Sequence, residues 1–363
     1  MVHLYTPIEL NINQMEDATI TEKIKCTGNN TGNIVWFEAV RRSIKHDLIG
    51  KKIPMDCGVK NIVIPMANHV QPSDRTLFGL YHNLEPHFGK CRLTMIGLGA
   101  QLKGELNTPK KLVASLSSQF KSILKELSLH TESIGIRGSV TAECLELIGI
   151  RNYRIIGCPS FYTELNTEYN AKKSPDKFCV NWSGGGEQKS SKEQFVREFF
   201  RNNAVQGDML LLQTMSDFPR TLYEGAHLEE RHIRSYYPDI TVSPQDIEDY
   251  IRTRGHIFFD WDEWQNFMRK GQFTMSVGCR FHGNMMSYLS GIPALWIVHD
   301  SRTYELCEVL ALPYIKLEQA AQIKERSEYA EYCVYNDKFY KNRDKMNQIY
   351  IEFLRENGVE QIH

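Results

Sequence analysis

The chain has 363 residues, of which 42% are hydrophobic and 24% are charged. This length exceeds what one simple core requires and favours two domains of ordinary size, and the composition is typical of a globular protein. Its 43 basic residues nearly balance its 44 acidic ones. No broad field therefore favours nucleic acid or an acidic membrane as the main partner, and any anion site must be local.

The nine cysteines are odd in number and include no C-x-x-C pair, which argues against a disulfide framework and against a zinc site. A reducing compartment is the natural interpretation, and no metal is expected. The first 20 residues lack the basic start and apolar run of a signal peptide. No apolar stretch approaches the roughly 20 residues that cross a bilayer. We therefore expect a cytoplasmic protein, with at most a peripheral contact at the inner face of a membrane.

The first half of the chain alternates short apolar runs with segments of helical spacing. It opens with a loop rich in glycine and asparagine from Gly28 to Asn33. Predicted strands cover residues 61–65, 93–99, 133–136 and 153–157. Predicted helices cover residues 34–44, 109–127 and 140–147, the last one capped by Ser139 and ended by Gly149. This alternation indicates a parallel α/β sheet.

After a polar stretch the alternation starts afresh at residue 178. Predicted strands cover residues 178–182, 208–213, 257–259, 273–277 and 293–298. Predicted helices cover residues 191–202, 244–252, 261–270 and 284–289. We therefore divide the chain into a first Rossmann-like domain (1–160), a linker (161–177), a second Rossmann-like domain (178–335) and a C-terminal helical segment (336–363). The last segment is expected to pack back across the first domain.

The segment Ser276-Val-Gly-Cys-Arg-Phe-His-Gly283 combines a strand end, a tight loop and a helix start. Loops at the carboxyl ends of parallel strands line the ligand crevice, and a helix N-terminus favours an anion. Arg280 offers a planar fork to phosphate or carboxylate, and His282 can move a proton near neutral pH. A surface arginine beside a helix-capping histidine would give the same pattern, so both interpretations stay open at this point.

The stretch Arg280-Phe-His-Gly283, followed by an apolar helix, Ser290-Gly-Ile-Pro293, a strand and His299-Asp300, resembles the signature region of the polysaccharide pyruvyl transferase family. That family usually has Arg-Leu-His, a helix ending in Gly-Val-Pro, a strand and Tyr-Asp. Further similarities are the segment 133–149, the glycine run in 95–101 and the opening loop from Gly28 to Asn33, which includes the candidate residue Asn29. Together these matches span residues about 28 to 315.

The resemblance implies two Rossmann-like domains that face each other across a cleft, as in GT-B glycosyltransferases. It also implies transfer of pyruvate from phosphoenolpyruvate to two hydroxyls of a sugar, without a metal and without a further cofactor. The expected acceptor is a polysaccharide or its lipid-linked precursor. We expect the first domain to take the acceptor and the second to take the donor. Arginines would hold the donor's anionic groups, and protonated His282 would donate a proton to carbon 3.

Several more residues are candidates for substrate binding. Arg137 follows a predicted strand at the mouth of the first domain and would complete an anion clamp, or it pairs with Glu143 or Glu146. Its neighbour Gly138 departs from the Arg-Asp pair of the family, which removes a carboxylate from this position. Asp300 is expected to bind an acceptor hydroxyl or to orient His282, unless it is a solvated loop residue. The remaining candidates are Gly283, Ser183, Gly184, Gly28 and Asn29.

Two other functions remain open from the sequence. A GT-B glycosyltransferase would use a sugar nucleotide in the same cleft, with Glu305 or Glu308 binding the ribose. A non-catalytic, carbohydrate-binding relative would keep the fold but would need neither Arg280 nor His282.

Overall fold

The computed structural model describes residues 1–55, 58–72, 76–102, 104–163, 167–170, 175–181, 209–215, 218–231 and 243–362. The predicted helix over 191–202 lies outside these residues.

The first half of the chain forms a six-stranded parallel sheet. Its strands are β1 (Val2–Tyr5), β2 (Leu48–Gly50), β3 (Asn61–Pro65), β4 (Arg92–Leu98), β5 (Ile134–Ile136) and β6 (Tyr153–Ile155), in the order β2-β1-β3-β4-β5-β6. Its helices are α1 (Ile20–Cys26), α2 (Gly32–Ser43), α3 (Thr76–Leu84), α4 (Pro109–Ser115), α5 (Ser118–Leu129) and α6 (Ser139–Ile148). All five residues of β3 are buried, as the continuous apolar runs of a covered sheet predict.

The second half forms another six-stranded parallel sheet. Its strands are β7 (Phe178–Asn181), β8 (Met209–Leu211), β9 (Gly255–His256), β10 (Met275–Gly278), β11 (Ala294–Val298) and β12 (Tyr314–Lys316), in the order β12-β11-β10-β7-β8-β9. Read from its other edge, this is the Rossmann strand order. Its helices are α7 (Pro219–Tyr223), α8 (Pro244–Arg254), α9 (Trp261–Lys270), α10 (Phe281–Leu289) and α11 (Ser301–Leu310).

Three helices end the chain: α12 (Leu317–Ala320), α13 (Arg326–Tyr332) and α14 (Asp337–Glu356). The last one returns to the first sheet, as predicted. The Tyr350 ring stacks on Tyr162 with centroids 4.5 Å apart, and the backbone oxygen of Asn357 accepts a hydrogen bond of 2.7 Å from Asn61 in β3. The α/β class with two parallel sheets is therefore confirmed.

The sequence predicted several local features wrongly. The single helix over 109–127 is two helices, because Leu116 is extended and Ser117 caps a new helix by accepting from the Phe120 N–H at 3.0 Å. Gly138, and not Ser139, is the N-cap of α6. The strand predicted at 257–259 lies instead at Gly255–His256. Gly149 does end α6, with the left-handed φ of 97° that favours glycine.

The two halves share buried surface. Helix α2 of the first half packs against α10 of the second, and one hydrophobic cluster includes Val35 and Phe37 of α2 together with Met285 and Met286 of α10. Within the described residues, no helix combines the length and apolar character needed to span a bilayer.

Candidate active site

The second sheet has its topological switch point between β7 and β10, where an α/β sheet places its ligand crevice. Strand β10 ends at Gly278, where a side chain's first carbon would lie 2.1 Å from the backbone oxygen of Asn181. The Cys279 N–H donates to that same oxygen at 3.0 Å. This close approach turns the chain sharply, so that Arg280 and the start of α10 face the crevice.

A buried amide network fixes α10 on the sheet. The Asn284 side-chain amide donates to the backbone oxygens of Gly278 at 2.9 Å and Leu295 at 3.1 Å. Its oxygen accepts from the Asn181 amide at 2.9 Å and from the Ser276 hydroxyl at 2.8 Å. The sequence analysis did not identify this network. Its one signal was an asparagine, four residues after Arg280, in a helix whose other residues are mostly apolar.

Arg280 and His282 both line a pocket at this helix start. The Arg280 Nη2 atom donates to the Thr214 hydroxyl at 3.1 Å, which directs the guanidinium across the crevice. His282 is partly buried, and its Nε2 atom lies 3.5 Å from the Cys158 sulfur, which comes from the first half of the chain. The predicted pair is therefore brought to one pocket.

Arg137 reaches the same pocket from the end of β5. Its side chain is 2% exposed. Its Nε atom donates to the Gly97 backbone oxygen at 2.9 Å, and its Nη1 atom donates to the Asn68 side-chain oxygen at 3.0 Å. Nη2 is buried and has no hydrogen-bond partner among the described residues. Neither Glu143 nor Glu146 is the partner of this arginine, so the alternative interpretation of Arg137 is wrong.

Two glycines at the end of β4, Gly97 within the strand and Gly99 after it, shape the backbone beside this arginine. A side chain on Gly99 would begin 2.8 Å from the Arg137 Cδ atom. Gly97 has a left-handed φ of 88°, and its place against the Met66 backbone oxygen leaves only 3.1 Å for a first side-chain carbon. Both glycines therefore act through backbone shape: Gly99 leaves room for Arg137, and Gly97 allows the close approach of Met66.

A third arginine, Arg302, lines the pocket together with His299. Asp300 caps α11 by accepting from the Thr303 N–H at 2.8 Å, and its other oxygen lies 2.9 Å from Arg302 Nη2 and 3.8 Å from His299 Nε2. Burial raises the pKa of Asp300, but the Arg302 charge, His299 and the helix start outweigh burial and lower it overall. Asp300 is thus an ionised anchor for Arg302, and its predicted contact with an acceptor stays a prediction.

The other predicted residues divide into two groups. Asn29 lines the pocket, whereas Gly28 forms the turn that precedes it, with a φ of 70°. Gly283 lies against β7, where a side chain would begin 2.0 Å from the Asn181 Oδ1 atom. These two glycines have backbone roles, and their substrate contacts stay predictions. Ser183 and Gly184 lie outside the described residues.

The pocket has a volume of about 280 Å³, close to the lower end of the range of small-molecule sites, about 300–1,000 Å³. Both halves supply polar groups to it, with three arginines and two histidines among its lining residues. The arrangement is suited to a small, multiply charged anion beside a polar co-substrate.

The family model for polysaccharide pyruvyl transferases matches residues 34–301, which is more than half of the chain. The chain belongs to the polysaccharide pyruvyl transferase family. No curated protein is similar enough in sequence to count as a relative.

The solved structures that are similar to this chain differ from it strongly in sequence. A putative UDP-N-acetylglucosamine 2-epimerase from Listeria monocytogenes is 12% identical, with 96% of this chain and 90% of that chain covered and a TM-score of 0.41. The S. aureus MnaA protein in complex with UDP is 10% identical, with coverages of 96% and 91% and a TM-score of 0.38. The glycotransferase of kitacinnamycin is 9% identical, with coverages of 93% and 81% and a TM-score of 0.34.

In this pyruvyl transferase family member, the free protein does not hold a protonated His282. Burial, together with the charges of Arg137 and Arg302, keeps the pKa of His282 well below its usual value. The neutral ring is therefore favoured in the protein without ligand, and the role of His282 as the acid stays a prediction. A bound negative charge that offsets the two guanidinium groups would raise this pKa.

The departure at Gly138 has a structural counterpart. Glu305 of α11 fills the space beside Gly138, where a side chain would begin 2.2 Å from the Glu305 Cγ atom. The Glu305 carboxyl accepts from the Thr141 N–H at 3.0 Å and thereby satisfies the start of α6. Burial raises the pKa of Glu305, although the Thr141 N–H, Arg137 and the Thr141 hydroxyl act in the opposite direction. A carboxylate therefore comes from the second half of the chain instead of residue 138.

Proposed function

We propose that this protein transfers pyruvate from phosphoenolpyruvate to two hydroxyls of a sugar, in a polysaccharide or in its lipid-linked precursor, and so forms a cyclic ketal. The observation that carries the proposal is the Arg137 Nη2 atom, which is buried at the pocket and has no hydrogen-bond partner among the described residues. A buried, unsatisfied donor on a cation is costly, and an anionic ligand would satisfy it.

Phosphoenolpyruvate carries a carboxylate and a phosphate, which suit a site that contains several arginines. Arg137 is held by the first half, whereas Arg280 and Arg302 are held by the second. Arginine forks bind both groups with paired, charge-assisted hydrogen bonds. We assign all three to the donor, so that the bound donor cancels much of the positive charge around His282.

Neutralising the positive charge around His282 also allows this residue to act as the acid. The negative donor raises the His282 pKa, so the ring takes up a proton as the donor binds. His282 then passes this proton to carbon 3, and a sugar hydroxyl attacks carbon 2. The bond from carbon 2 to the phosphate oxygen breaks, and the second hydroxyl closes the ketal. The two hydroxyl protons are balanced by the one gained at carbon 3 and the one on the released phosphate.

The sugar-nucleotide alternative depended on Glu305 or Glu308 for the ribose. Glu305 is 4% exposed and accepts a hydrogen bond from the Thr141 N–H, and Glu308 accepts a hydrogen bond from the Tyr314 hydroxyl at 2.7 Å. Neither carboxylate is among the residues that line the pocket. No observation favours this alternative over pyruvyl transfer.

The test is incubation with phosphoenolpyruvate and a panel of acceptor glycans, followed by phosphate release and mass analysis of the glycan. We expect a pyruvate ketal on one acceptor. Arg280→Ala should raise the KM for the donor, whereas His282→Ala should lower kcat more than it weakens donor binding. Arg254→Ala, which changes an exposed arginine outside the pocket, is the matched control.

Other products would reject the proposal. Transfer of a hexose from a sugar nucleotide would show a glycosyltransferase, and glycan binding without phosphate release would show a non-catalytic relative. Full activity of both site variants would show that the chemistry takes place elsewhere.

A further inference from the structure

One cysteine lies against the proposed acid. Cys158 lies three residues after the end of β6 and is 0% exposed. Its sulfur lies 3.5 Å from the Nε2 atom of His282 and 3.0 Å from the Ser160 hydroxyl oxygen. The eight cysteines in the described residues are all free thiols, so the sulfur of Cys158 carries a hydrogen that it can donate.

We propose that Cys158 is the positioning residue of His282: it holds Nε2 of the ring in a hydrogen bond and leaves Nδ1 for the substrate. The inference rests on the proposed function, in which His282 handles the proton. In the free protein, the Ser160 hydroxyl donates to the sulfur and the thiol donates to Nε2. Nε2 is then an acceptor, so the neutral ring carries its hydrogen on Nδ1.

A thiol suits this place because it is both a weak donor and a weak acceptor. When His282 gains a proton, its Nε2–H donates to the sulfur, and the thiol hydrogen turns to the Ser160 oxygen. The contact thus survives both protonation states without movement of the ring. Since a hydrogen bond from the partner atom sets the tautomer of a histidine, Cys158 determines which nitrogen delivers the proton.

The charged and titratable neighbours of this pair come from both halves. Burial lowers the pKa of His282 most, and the charges of Arg137 and Arg302 lower it further. Tyr162 and Tyr350 lie beside Cys158, and their pKa values are raised mainly by burial, so both stay neutral over the working range. Arg137 also lies near Cys158 and interacts with it electrostatically, so Cys158 provides a hydrogen-bonding neighbour for His282 beside two cations.

The test compares Cys158→Ser with Cys158→Ala, and uses the same two changes at Cys333 as controls. Cys333 is another buried cysteine, 2% exposed and outside the pocket lining. Serine keeps a donor and acceptor, whereas alanine keeps neither. We expect Cys158→Ala to lower kcat by about 10- to 100-fold, because a small displacement of a reacting group has such effects. The donor's KM should change little, and the pH at which kcat is half-maximal should shift.

Cys158→Ser should keep kcat within about threefold of the wild type. Denaturant unfolding of both variants, measured in parallel, shows whether a loss of kcat reflects a loss of folded protein. If the two Cys158 variants lose kcat equally, or if kcat follows stability in both, the positioning role is refuted.

A second readout separates this inference from the proposed reaction. Nitrogen-15 NMR of labelled histidine reports which ring nitrogen of His282 carries the hydrogen, and it needs no substrate. We expect the Nδ1–H form in the wild type and in Cys158→Ser, and a tautomer mixture in Cys158→Ala. An unchanged spectrum in Cys158→Ala overturns the inference whatever the enzyme does. A wild-type protein with the expected tautomer but without phosphate release overturns the reaction alone.

Discussion

Replacing Arg137 with methionine tests whether the buried guanidinium is there for a ligand. The change removes a hydrogen-bond donor at Nη2, which no described residue satisfies, along with the bonds to Gly97 and Asn68. A hydrogen bond to a charged group contributes about 1.5–3 kcal/mol. Loss of one such bond weakens donor binding by about 10- to 150-fold. Lysine at this position keeps the charge but not the fork, so its effect should be intermediate.

Two effects on the stability of the free protein should partly cancel. Methionine leaves the Gly97 and Asn68 oxygens without their donor, which destabilises the fold. It also removes a buried charge whose desolvation is costly. The two effects oppose each other, so we expect the free energy of unfolding to change by less than about 2 kcal/mol.

The assay is denaturant unfolding with and without phosphoenolpyruvate. At a donor concentration of about 100 times Kd, the wild type gains about 2.7 kcal/mol. The same concentration should stabilise Arg137→Met by only about 0.3–1.4 kcal/mol. Arg154→Met is the matched control, because Arg154 pairs with Glu352 at 3.0 Å outside the pocket. An equal gain in Arg137→Met and in the wild type would show that Arg137 does not bind the donor.

Three further outcomes are expected. Donor binding at pH 7 should take up a proton at His282, because the pKa of the free ring is low and rises as the anion binds. Calorimetry in two buffers of different ionisation enthalpy measures this uptake. The variant His282→Ala should abolish it. Gly138→Asp should destabilise the protein by about 1–3 kcal/mol, since the new side chain meets Glu305. Denaturant unfolding should show that adding Glu305→Ala restores part of the lost free energy of unfolding. If it restores none, the clash lies elsewhere. Asp300→Asn should keep the helix cap but remove the ion pair with Arg302. The KM for the donor should therefore rise about tenfold, while the free energy of unfolding changes little. An unchanged KM would mean that Arg302 does not need Asp300 to hold it in place.

Buried strands with continuous apolar runs could be read from the sequence. Strand β3 is confirmed at the predicted residues, and β11 differs by one residue. Strands β1 and β2 were missed because their short runs contain polar or partly exposed residues. The break between α4 and α5 was present in the sequence as Ser117, a good N-cap, but the continuous helical spacing concealed it.

The candidate site was predictable where one short motif holds it. Arg280 and His282 occupy one segment, and the strand, loop and helix pattern around them is confirmed. The carboxylate beside Gly138 comes from Glu305, 167 positions away in the chain, and only the fold brings the two together. The protonation of His282 was not predictable either, since it depends on burial and on two arginines from different halves.

The shared core of α2 and α10 limits how this protein can be divided. One hydrophobic cluster runs from Leu4 in β1 to Trp296 in β11, so either half expressed alone would expose a large apolar face and be prone to aggregate. The same holds for chimaeras, because a half taken from a relative must have an apolar surface that is complementary to this face. Exchange of parts between family members should therefore succeed at the loops around the pocket and fail at the boundary between the two sheets.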